Sequence, residues 1–80
     1  MKILNGMYNT YENNRYVLRG DIVRGMFTVT LIDRETLQYE DLSANKPLPA
    51  SVGYERVRKE FEYWNETVRG HLAIGEYPLQ

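Results

Sequence analysis

Residues 26–32, MFTVTLI, constrain the fold of this chain more than any other stretch. Seven consecutive β-branched, aromatic or large apolar side chains suit a pleated, half-buried surface. Side chains alternate along a strand, so Phe27, Val29 and Leu31 share one wholly apolar face. Met26, Thr28, Thr30 and Ile32 share the other, which is mixed. The first face predicts a core and the second a partly wet surface. No proline interrupts the run, so it reads as a central strand.

Both neighbours of this strand are signalled. Asp33-Arg34-Glu35-Thr36 is a polar connection whose Asp and Thr side chains bond nearby backbone and favour a turn. Leu37-Gln38-Tyr39-Glu40 then resumes alternation, which predicts Leu37 and Tyr39 inward. On the other side Arg24-Gly25 is a tight link, with Gly25 supplying positive φ. It leads back to Gly20-Asp21-Ile22-Val23, entered from a strand that starts at Tyr16; Gly20 is expected to permit a bend, and Asp21 to accept from backbone donors there. The result is an antiparallel β-meander, too small to be stable without a covering layer.

The cover is a helix over 52–69. Tyr54, Val57, Phe61, Trp64 and Val68 recur at steps of three and four, which places them in one stripe. Ser51 or Gly53 is the expected N-cap and Gly70 the expected stop. Glu55–Lys59, Arg56–Glu60 and Arg58–Glu62 are opposite charges at i,i+4 on the outer faces. Residues 43–51, with Pro47 and Pro49, read as a linker. Asn5-Gly6 is a hairpin signal, residues 9–15 are polar and turn-rich, and residues 70–80 form a tail in which Leu72 and Ile74 have strand spacing. The expectation is one α+β domain over 1–80: mainly β over 1–42, a linker, then the helix and tail.

Several function classes drop out. The chain has no cysteine, so neither a disulfide scaffold nor a thiolate zinc site is expected. No apolar run approaches the roughly 20 residues that span a bilayer. The N-terminus is too short and polar for a signal peptide, which predicts a cytoplasmic protein without membrane partners. Nucleophilic catalysis needs a Cys, or a Ser or Thr beside a base. The two serines, Ser43 and Ser51, lie at the linker, and the one histidine, His71, lies just past the expected helix. No glycine-rich phosphate loop and no metal-ligand spacing is present. No catalytic, cofactor-binding or metal-binding residue is therefore expected, and the protein is read as a non-enzyme.

Charge and aromatic content point to binding instead. Net charge is −1, split as +2 over residues 1–34 and −3 over 35–80. Seven tyrosines, and more arginine than lysine, favour protein interfaces, where each side chain offers large contact area with a polar handle.

The Gly20-Asp21-Ile22-Val23 segment, the hairpin from Phe27 to Tyr39 and the helix opening Tyr54-Glu55-Arg56-Val57-Arg58-Lys59-Glu60-Phe61 together resemble short accessory proteins of tailed phages and prophages. The likeness covers about two-thirds of the chain; the short Arg24-Gly25 link and the long N-terminal segment depart from it. It implies an SH3-like barrel closed by a terminal helix, as an alternative to the open meander, and no catalytic residue. It also implies a protein that binds a host complex, such as a CRISPR effector or the transcription machinery, and inhibits it. The expected contact surface is Tyr8, Tyr11, Arg15, Arg19, Arg24 and Arg34. Nucleic-acid binding is the runner-up, through those arginines with Tyr16 and Tyr39. A homodimer through an edge strand or Trp64 is the third expectation.

Overall fold

A computed structural model describes residues 9–11, 15–44 and 46–73, with backbone alone at 9–11 and 73. The order is β1 (Asn9–Tyr11), β2 (Tyr16–Val23), β3 (Met26–Asp33), β4 (Tyr39–Asp41), β5 (Leu48–Pro49), a 3-10 turn (Ala50–Val52) and α1 (Tyr54–Ala73). The sheet is antiparallel with order β1-β2-β3-β4, and β5 also pairs with β3. It stays open among the described residues, so the meander and not the closed barrel is the architecture. The α+β class, with one α-helix among the described residues following the strands, is as the sequence predicts.

The central strand behaves as its alternation requires. Phe27, Val29 and Leu31 are solvent-free and Met26, Thr28, Thr30 and Ile32 half-buried. Across the β2–β3 ladder, Tyr16, Leu18 and Gly20 are buried on the same inner face. The helix lays Val57, Phe61, Val68 and Leu72 on that face, with Trp64, Ile22, Leu42 and Leu48 packed around the rim of one core. Gly20 does not serve a bend. It sits opposite Val29, and a Cβ there would lie 3.0 Å from atoms of both the Phe27 and Phe61 rings. The missing side chain lets two aromatic rings close on the strand.

Three boundaries and one burial differ from expectation. Asn9–Tyr11, in the segment read as turn, is an edge strand paired with β2. The linker is largely structured: Leu48–Pro49 pairs with Met26 and Phe27, and Ala50 N–H donates to Gly25 O at 2.8 Å. The helix runs through Gly70 to Ala73, because Leu72, one turn beyond Val68, is buried. Burying a leucine contributes about 1.5–3 kcal/mol, more than the roughly 1 kcal/mol that an internal glycine costs. Tyr54, the first member of the stripe, is 49% exposed and stands outside the core. Gly53 fills the N-cap position, its carbonyl accepting from Val57 N–H at 3.1 Å. The Asn5-Gly6 hairpin and Ile74 lie outside the described residues.

The helix's outer charges pair as Arg56–Glu60 and Arg58–Glu62, both at 3.0 Å, with Arg58 also reaching Glu55 at 3.1 Å. Such exposed pairs contribute a few tenths of a kcal/mol each.

Candidate functional site

The two ends of β3 are built differently, and the difference decides what the surface displays. At one end Arg24 and Gly25 both have positive φ, 53° and 76°, the geometry of a two-residue turn that matches strand twist. Arg24 is thereby carried to an exposed tip.

At the other end the connection is longer and pinned. Asp33, the last residue of β3, is buried rather than loosely placed in a turn. Its Oδ1 accepts from Glu35 N–H at 2.9 Å and Thr36 N–H at 3.4 Å. Arg15 donates to both carboxylate oxygens, Nε to Oδ1 at 3.1 Å and Nη2 to Oδ2 at 3.0 Å. The guanidinium also lies 5.1 Å from the Tyr16 ring centroid. The Arg15 hydrogen bonds first, and then those from Glu35 and Thr36, hold the Asp33 carboxyl down at about 2, against the opposing effect of burial. Asp33 in turn raises Arg15.

This clamp sets the backbone that follows. Leu37 N–H donates to Asp33 O at 2.7 Å and Asp33 N–H to Gln38 O at 2.8 Å. Leu37 is held at φ 64°, a left-handed conformation that an L side chain adopts at a cost of about 1–2 kcal/mol. The strand then resumes one residue later than alternation from Leu37 requires. Tyr39 pairs with Ile32 and so falls on the outer face. Leu37 and Tyr39, expected inward, are therefore 80% and 76% exposed. Glu40, not Tyr39, takes the half-buried position opposite Leu31.

A second correction concerns Ser43, read as linker. β4 and β5 lie end to end along one edge of β3, and the chain between them leaves the ladder. Leu42 N–H donates to Val29 O at 2.8 Å, and Val29 N–H donates to Ser43 Oγ at 3.0 Å. The Ser43 hydroxyl donates onward to Asp41 Oδ1 at 3.0 Å. A buried side chain thus completes the sheet where backbone does not.

The outer face carries Val17, Arg19 and Asp21 from β2, Thr28, Thr30 and Ile32 from β3, and Tyr39 and Asp41 from β4. Arg19, Asp21, Thr30, Ile32 and Tyr39 line a shallow depression of about 260 Å³. Arg19 Nε lies 2.6 Å from Asp21 Oδ2, a contact of opposite charges in which the N–H does not point at the carboxylate. Asp21 thus serves Arg19 and not nearby backbone N–H groups. On the helix side, Lys46, Pro47, Leu48, Tyr63 and Trp64 border a groove of about 410 Å³.

The expected contact residues do not form one patch. Arg15 and Arg34 lie together at the clamped end, joined by Arg34 N–H to Arg15 O at 2.7 Å. Arg19 is midway along β2 and Arg24 is at the far tip. Eight-residue strands put the two ends about 23 Å apart. Tyr16 is buried and offers no free ring for stacking. Tyr8 and the Tyr11 side chain lie outside the described residues. No group of three or more His, Asp or Glu side chains able to hold a metal occurs among the described residues, and no described helix is long and apolar enough to cross a membrane.

Comparison with protein-family models, curated proteins and solved structures gives no match.

Proposed function

We propose that the protein is a non-enzymatic protein-binding accessory module. By its likeness to phage accessory proteins, it would act as an inhibitor of a host complex such as a CRISPR effector or the transcription machinery. The observation that carries this is Leu37: 80% exposed, at φ 64°, on a turn clamped by Asp33 and Arg15. Backbone strain persists where surrounding structure over-determines it, and such strain clusters at functional sites. A large apolar side chain fixed in place before binding loses little entropy on docking. Tyr39, two residues on, adds an exposed aromatic of the kind that dominates interface energetics.

Nucleic acid is the less supported partner. Tyr16 is buried, and Arg15 and Arg19 each already face a carboxylate.

The test pairs binding with stability. Leu37→Gly relieves the left-handed strain and removes the anchor. It is expected to raise the midpoint of denaturation while abolishing stoichiometric capture of a host protein that the unsubstituted chain retains. Equal capture by both chains, or none by either, refutes the proposal.

A further inference from the structure

We propose that the outer face of the sheet is a docking surface for a second copy of this chain, packed sheet to sheet about a two-fold axis that runs along β3. The helix covers the inner face, and no described element packs on the outer one. What selects the occupant is the arrangement of charge and apolar surface across three strands.

Arg19, Thr30 and Asp41 form one cross-strand row, with Arg19 on β2, Thr30 at the centre and Asp41 on β4. Val17, Ile32 and Tyr39 form the next row in the same order. A two-fold axis in the plane of contact and parallel to β3 places β2 of each copy over β4 of the other. Arg19 then meets Asp41 of the second copy and Val17 meets its Tyr39, while Thr30 and Ile32 meet their own twins on the axis. Each row is complementary to itself under this one operation, as an isologous interface requires. Aligned packing of two sheets is also the arrangement that strand twist favours.

The groups that must meet are free to do so. Arg19 faces Asp21 through Nε, and among the described residues no ion pair engages either of its Nη groups. Asp41 is exposed, and its bonds from Ser43 N–H and Oγ–H use Oδ1, leaving Oδ2. Tyr39 is 76% exposed and lines the depression together with Ile32. The eight-residue β2 and β3, about 23 Å long, and the three-residue β4, about 10 Å long, each about 4.8 Å wide, present roughly 270 Å² per copy. That is about a third of what each partner gives to a standard interface, so the dimer is weak and concentration-dependent.

The surface shares Tyr39 with the Leu37 site, but Arg19, Thr30 and Asp41 lie outside that site, so the charge reversals here and Leu37→Gly there fail independently. The experiment is sedimentation of the full chain from about 10 μM to about 1 mM, a range suited to a weak complex. The mass is expected to rise from 9.4 kDa toward twice that value. Arg19→Asp and Asp41→Lys should each weaken association about tenfold or more, because like charges then face each other. An equimolar mixture of the two variants should restore it, since both cross-copy pairs are again of opposite sign. The chain has no cysteine, so Thr30→Cys, on the axis, gives a second readout should Asp41→Lys disturb Ser43. A short bismaleimide should join Thr30→Cys copies faster than copies of Lys59→Cys on the outer helix. A constant monomer mass, association indifferent to both charge reversals, or equal cross-linking at the two cysteine positions overturns the proposal.

Discussion

The two faces of β3 differ in what holds them to their form. The inner face is apolar, met by a helix stripe and excluded from water; its geometry follows from burial. The outer face mixes threonines, an Arg–Asp pair and a tyrosine, and its geometry follows from hydrogen bonds at the strand ends. Non-directional burial tolerates some ambiguity in the chain path, whereas the hydrogen-bonded turn after β3 decides, residue by residue, which side chain faces where. A single left-handed residue, Leu37, moves Tyr39 from core to surface.

Substitutions at the inner face should have the largest effect. Phe61→Ala removes a solvent-free ring packed against Gly20 and should cost about 3–5 kcal/mol, read by chemical denaturation. Thr28→Val, on the opposite face of the same sheet, should stay within about 0.5 kcal/mol. Comparable costs at both sites would end the distinction between the faces.

Ser43→Ala asks whether the ladder depends on that hydroxyl. It leaves Val29 N–H buried without its acceptor and should cost about 1–3 kcal/mol. Hydrogen exchange at Val29 should quicken more than at Leu31, whose neighbours keep their backbone pairing.

The clamped turn should appear as a pH effect. Asp33 is held at about 2 in the folded chain, below its ordinary value of 3.8. Its stabilising contribution is therefore complete above 3.8 and is lost as pH falls toward about 2. Asp33→Asn should flatten that part of the stability–pH curve and leave the curve near neutrality parallel to the original. An unchanged acid limb would show that the clamp does not persist in solution.

The smallest effect is a gain. Gly70 lies inside the helix, and a Cβ there meets nothing within 4 Å. Gly70→Ala should stabilise by about 0.5–1 kcal/mol, measured as a rise in denaturation midpoint. A loss would mean that the helix does not continue through this position.

Much of the fold is legible in residues 26–32 and in the Val57, Phe61, Trp64, Val68 stripe, because alternation and helical periodicity report burial directly. The Arg24-Gly25 turn is legible too, since its chemistry is local. The candidate sites are less so. Arg15 looks like a free cation in the sequence, but Asp33, eighteen positions away, claims it. Leu37 and Tyr39 carry an alternating pattern that predicts the wrong face, because no local signal marks a leucine with positive φ.

The sequence by itself determined the central strand, its apolar face, the helix that covers it and the absence of a thiol. These rest on periodicity and composition, which act between near neighbours in the chain. Tertiary structure alone decided where the strands end, how far the helix runs, and that Ser43 completes the sheet. It also decided that Asp33 grips Arg15 and that Tyr39 faces out. The physical reason is that hydrogen bonds are directional and these join residues far apart in the chain, so their partners exist only once the sheet has formed.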